Sequence, residues 1–327
     1  MGEIVKGSRN SAIELYRVVL MGGIILLHIT SFDEFWANWR HLTFLLLPCV
    51  DGFVLITGYF GTKFSLKKLC YLYATALWCI AVVVLLYHSI MGDLYVMTLA
   101  NDMLKIFKEF WFLHAYAFLL CFAPLVNHAF DRCDRSEQIR LFLPICIVIF
   151  GWGLFLGLRG VHHFVPDMTG LTAKSGLTLL GVYIAGRLYR KNETWFDTIP
   201  LWCWFVGLVC LSGICTFGMG WFGNYNSPFA ALFALSFLHL FKKIRCPNWL
   251  CRGLSLLSAS VFSVYIFHAN ELSYVGMRSL IKYLNVKSEM PLICCGVMTM
   301  FFVYIISLLL DMPRRILFEH FFKRNNS

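Results

Sequence analysis

The chain has 327 residues and a mean hydropathy of +0.70; 59% of it is hydrophobic and only 14% is Asp, Glu, Lys or Arg, against about 25% charged in ordinary soluble domains. Apolar runs near bilayer-crossing length recur throughout, which excludes a water-soluble globule and predicts an all-α, polytopic integral-membrane helical bundle. The net charge of +10 is divided among the short segments between those runs, so it marks orientation in a membrane and not a nucleic-acid surface.

Ten spans are predicted, over 12–30, 43–62, 69–90, 110–126, 141–158, 172–189, 198–218, 228–241, 253–270 and 291–311. With the N-terminus cytoplasmic, the inside segments carry 19 Lys and Arg residues and the outside segments 8, with Arg17 inside the first span. Positive charge accumulates on the cytoplasmic side, so both termini are expected there. Trp36, Trp39, Trp111, Trp195, Trp202 and Trp221 fall near span ends, where amphipathic rings settle at the interface. No linker, repeat or low-complexity tract divides the chain, and 1–327 reads as one membrane domain. The first apolar run has no small-residue cleavage site after it, so the first helix is expected to be retained.

The first span, NSAIELYRVVLMGGIILLHIT, carries three ionisable residues. Glu14, Arg17, Met21, Ile24 and His28 share one helical stripe; Arg17 and His28 project within about 20° of each other and lie about 16 Å apart along the axis. Glu14 and Arg17 are three apart and can pair. One reading has Arg17 and His28 snorkelling to opposite surfaces. The other places them on the wall of an internal cavity, where intramembrane ionisable groups usually face.

The second span brings Asp51 to membrane depth between Pro48 and Gly52, with Gly58 and Thr57 beyond it. Asp51 either caps a broken helix or belongs to the polar site. Segments 91–109 and 271–290 are the longest predicted loops, both outside, and His88 and His114 are read as structural. The adjacent pair His162-His163 reads as plain loop, and no further ligands point to a metal. Most of the 13 cysteines sit in apolar runs as small hydrophobes, while Cys246 and Cys251 lie in a predicted cytoplasmic loop where disulfides do not persist. In GRLYRKNE, Arg187 and Arg190 occupy neighbouring positions at a cytoplasmic helix end. They are either orientation anchors or a pair of guanidinium forks for phosphate. His268 closes the ninth span in SVFSVYIFHANEL, either as an amphipathic interface residue or as a part of the site.

Taken together, several of these stretches resemble the membrane-bound acyltransferase-3 family. The Arg17 and His28 pair, ten residues apart in the first helix, is similar to that family's signature. GFVLITGYFGTK resembles its Ser-Gly-Tyr segment with Thr57 replacing the usual serine, FWFLHAYAFLLCFAPLVN its Trp-Phe-Leu helix, and SVFSVYIFHANEL its Tyr-x-x-His helix, all in family order. A later span, NYNSPFAALFALSFLHLFKKI, matches as well. The resemblance implies transfer of an acyl group, most often acetyl, from acetyl-CoA or another acyl-CoA to a hydroxyl of a surface or lipid-linked saccharide, in a bacterial inner membrane. It implies His28, Arg17 and Glu14 as the catalytic group, with His28 either the general base or the carrier of the acyl group in a two-step relay, Arg187 and Arg190 as donor-binding, and Asp51 and His268 as substrate-binding residues. Histidine suits the chemistry, because a sugar hydroxyl needs a base that works near neutral pH. A second function class stays open: a transporter or lipid-linked sugar flippase using Glu14, Arg17, Asp51 and His28 as a polar path.

Overall fold

A computed structural model describes residues 10–158, 172–218, 224–288 and 291–323. His162-His163, Trp221, and the basic residues Lys6, Arg9, Arg159 and Arg324 lie outside the described residues. The described residues are helical, with no strand among them.

The first helix, α1 (Ser11–Thr30), begins where the Asn10 side chain accepts the Ala12 N–H at 3.1 Å, satisfying one of the otherwise orphaned first-turn donors. The second predicted span resolves into α2 (Asp33–Leu46) and α3 (Pro48–Phe60), separated by Leu47 alone. Pro48 opens α3 because it has no N–H to lose there. The chain then runs through α4 (Leu66–Met91), α5 (Val96–Glu109), α6 (Trp111–Arg132), α7 (Arg135–Leu158), α8 (Gly176–Lys191) and the single turn α9 (Glu193–Phe196). It continues through α10 (Leu201–Phe217), α11 (Pro228–Lys242), α12 (Asn248–Ala259), α13 (Val261–His268), α14 (Glu271–Ser288) and α15 (Leu292–Lys323).

Every predicted span range contains a helix, yet among the described residues only six helices are long and apolar enough to cross a membrane. These are α1, the Trp39–Phe60 stretch of α2 and α3, α4, α6, α7 and the Leu292–Phe318 part of α15. The pair α12 and α13, bent by 47° at Ser260, makes a seventh if it counts as one span. The helices α10 and α11 are apolar but shorter, at 17 and 15 residues. Two predicted loops are corrected. Segment 91–109 is largely α5, whose Leu99, Met103 and Ile106 recur at helical spacing and pack on the α4 cluster. Segment 271–290 is largely α14.

α1 lies at the centre and packs against α2, α3, α11, α12, α13 and α15. Leu141, Ile147 and Val148 of α7 and Phe205 and Val209 of α10 point outward, as hydrocarbon-facing side chains do. All 13 cysteines are unpaired. The closest crossing joins α3 to α8 at glycines: a Cβ on Gly58 would lie 2.2 Å from the Tyr183 carbonyl oxygen, and one on Gly186 would lie 2.5 Å from that of Leu55. Small residues let two membrane helices approach backbone to backbone in this way.

Candidate active site

Six helices pack against α1, which leaves Val19 exposed on one face and turns its polar stripe toward a cavity. Arg17, Met21, Ile24 and His28 form one wall of a cavity of about 430 Å³, within the roughly 300–1,000 Å³ usual for small-ligand sites. The facing walls come from α3, α4, α6, α12 and α13 and are mostly aromatic, with Phe53, Trp111, Tyr116 and Tyr265 among them.

One end of the cavity is polar and cationic. Arg17 donates to Glu14 at 3.1 Å, and Glu14, itself buried, also accepts from the Ser258 hydroxyl. A buried carboxylate requires such partners, and they hold the Arg17 guanidinium against the cavity. Lys68 lines the same end and donates to the Lys63 carbonyl at 2.9 Å.

At the other end His28 meets His268, with Nδ1 of the first 3.0 Å from Nε2 of the second. The His268 Nδ1 is 2.6 Å from the Val264 carbonyl oxygen, which can only accept. In the neutral pair this assigns the protons in order. His268 donates from Nδ1 and accepts at Nε2, so His28 donates from Nδ1 and keeps its lone pair on Nε2. That nitrogen takes no hydrogen bond from the described residues, and His28 is a wall residue of the cavity. Tyr274 flanks the ring with centroids 5.8 Å apart. Outside α8, Lys174 lies 6.0 Å from the centre of the Trp111 ring, and burial pushes its ammonium below the usual range.

The remaining residues singled out in the sequence are placed differently. Asp51 is fully buried in the first turn of α3, and neither carboxylate oxygen has a hydrogen-bond partner among the described residues. It accepts no capping bond and is not a wall residue; it lies within electrostatic reach of Tyr16 and of Tyr225, which does line the cavity. Arg187 and Arg190 sit at the end of α8, away from the cavity wall. Arg187 is buried beside Asp131 at 3.6 Å, and Arg190 donates to the Tyr59 hydroxyl at 2.7 Å and to Glu193. Glu193 also binds Lys242. The Arg190 guanidinium is thus engaged by groups of the chain itself, whereas Arg187 has the ion pair with Asp131 and a buried Nε without a hydrogen-bond partner among the described residues.

Sequence reasoning passed over Lys68 and Lys174 because, as isolated cations near span ends, they look like any orientation signal. It also set His88 aside, although its two nitrogens lie 2.8 Å from Asp93 and 2.9 Å from Asp102. The spacing of Asp93 just past the end of α4 was the available clue. Among the described residues no three His, Cys, Asp or Glu side chains converge as metal ligands do.

The described residues thus form a helical bundle in which one cavity joins a cation to a histidine. Residues 10–310 match the acyltransferase-3 family, described as an acyltransferase domain, and the chain belongs to that family. No curated protein and no solved structure matches it.

Proposed function

We propose that the protein transfers an acyl group, acetyl in the first instance, from acyl-CoA to a hydroxyl of a surface or lipid-linked saccharide. The observation that carries this reading is the orientation of His28: Nδ1–H is held by His268 and the lone pair on Nε2 is left for the cavity. In the reaction Nε2 takes the proton of the acceptor hydroxyl as its oxygen attacks the thioester carbonyl. The new C–O bond forms, the C–S bond breaks, and the imidazolium returns the proton to the departing thiolate. His268 accepts the hydrogen bond of His28 throughout and so steadies the cationic ring, which makes it a positioning residue. The acceptor hydroxyl is presented at the His28 end, and the donor arm runs along Met21 and Ile24 from the Arg17 end, about 16 Å from His28 by helix rise. Asp51 lies off this route and takes part in no step.

In this reading all ten helical ranges cross the membrane, both termini are cytoplasmic, and the membrane is that of a bacterial cell. The 19-to-8 charge asymmetry supports the orientation. The test is thiol release by the purified protein in lipid nanodiscs supplied with acetyl-CoA and an oligosaccharide acceptor. Acceptor-dependent release of coenzyme A is the expected result. Binding of saccharide with no thioester consumed would point instead to the transporter class, for which the polar path of Arg17 and His28 would serve translocation.

A further inference from the structure

A second cavity, of about 410 Å³, lies among Arg252 and Ser255 of α12, Arg314 and Arg315 of α15 and Tyr71 of α4. Among the described residues three arginines line it and no carboxylate does. Its fixed part is Arg314, only 2% exposed. Arg314 grips Asp311 through Nε at 2.6 Å and Nη2 at 3.1 Å, and donates from Nη1 to the Tyr71 hydroxyl at 2.7 Å and to Thr75 at 3.2 Å. Asp311 is fully buried and satisfied by that pairing, so the charges of Arg314 and Asp311 cancel. Arg252 and Arg315 approach from different helices and have no ion pair or hydrogen bond among the described residues. The cavity therefore carries two uncompensated guanidinium forks on either side of a rigid, neutralised pair. Planar forks of this kind match the oxygens of a phosphate or diphosphate.

Its position says which phosphate. Tyr71 lines both this cavity and the one that leads to His28, and Ser255 and Ser258, one turn apart on α12, face the second and the first respectively. The shared wall falls at the Arg17 and Lys68 end, far from the histidines. A ligand anchored here by an anionic head could send an uncharged arm past Tyr71 and Arg17 toward His28. Arg187 and Arg190 offer no such geometry, since neither lines either cavity.

We propose that Arg252 and Arg315, set around the Arg314–Asp311 pair, are the phosphate subsite for the nucleotide part of the acyl donor. The proposal rests on the acyl-CoA reading above. An anionic lipid headgroup shares the same phosphate chemistry and is the rival occupant that the experiment separates.

Binding of coenzyme A and of adenosine 3′,5′-bisphosphate is measured by calorimetry in phosphatidylcholine nanodiscs for the wild type, Arg252→Gln plus Arg315→Gln, and Arg187→Ala plus Arg190→Ala. Loss of charge-assisted hydrogen bonds at the subsite should weaken both ligands at least about tenfold in the first double variant and little in the second. The preference for acetyl-CoA over S-acetylpantetheine, as a ratio of kcat/KM, should fall by a similar factor, and wild-type affinity should drop with added salt. Size-exclusion profiles establish that the variants are folded. The subsite is overturned if Arg252→Gln plus Arg315→Gln binds coenzyme A like the wild type, or if the loss follows the Arg187 and Arg190 variant instead. It is overturned in favour of a lipid site if that variant loses only retention of phosphatidylglycerol. Coenzyme A binding that depends on Arg252 and Arg315 without any thioester turnover would leave the subsite standing and remove the acyl-transfer reading. Acyl transfer indifferent to these arginines would do the reverse.

Discussion

His28 and His88 stand in the last turns of two membrane helices, and their surroundings give them opposite capacities. His88 has a carboxylate on each nitrogen, Asp93 at 2.8 Å and Asp102 at 2.9 Å, so with both acids ionised the ring donates from both sides and has nothing left for a ligand. It ties the end of α4 to α5. His28 has one partner, a second histidine that accepts its proton, and its other nitrogen stays available at a cavity wall. The lesson is that a histidine's function is read from the atoms that face its two nitrogens. Both stand in the last turn of an apolar helix, and that position decides nothing.

The contrast can be broken most directly at its strongest point. His28→Ala should lower acetyl transfer about 10²–10⁴-fold, the usual contribution of a positioned base, while insertion and yield are retained. Turnover near that of the wild type at matched protein levels would end the assignment. Next in size is His268→Ala, which removes a hydrogen bond to a ring that becomes charged. That bond is worth about 1.5–3 kcal/mol, or a fall in kcat of roughly ten- to a hundredfold. Donor KM should hardly move, and His268→Gln, whose amide oxygen still accepts, should recover part of the loss. A change confined to KM would make His268 a binding residue.

Arg17→Lys sharpens the comparison from the other end of the stripe. It keeps the charge but loses the planar fork held by Glu14, and a several-fold loss of turnover, about two- to tenfold, is expected. An unaltered rate would return Arg17 to simple snorkelling. The smallest effect on catalysis belongs to His88→Ala. It leaves Asp93 and Asp102 facing each other, so thermal unfolding in detergent should shift to lower temperature, while turnover per folded molecule matches the wild type. If activity fell with stability unchanged, the two histidines would not be different in kind.

Much of this was legible in the sequence where the signal lay within one helix. The stripe of Arg17, Met21, Ile24 and His28 needs only the helical period, and the same residues share one cavity wall. The pairing of His28 with His268 was not legible, because it joins helices far apart in the chain and depends on the bend at Ser260 to aim α13. Hydropathy missed α5 because Asn101, Asp102 and Lys105 interrupt its apolar residues along the chain, so the run looks polar when read end to end. Arg252 and Arg315 were counted only as orientation charges. What sets them apart is Asp311, three residues from Arg314, which binds that arginine and leaves the other two unopposed.

The glycine crossing of α3 and α8 has a mechanical consequence. With Gly58 against the Tyr183 carbonyl and Gly186 against that of Leu55, these two helices have no slack in which to slide, and together they act as a stator. The opposite wall is jointed. α12 carries Ser258 beside Glu14, α13 carries His268 beside His28, and Ser260 is the elbow between them. Any movement between these walls would be taken up at the elbow. Flexing there would swing the arginine end and the histidine end separately against a fixed frame, so loading at one gate need not open the other.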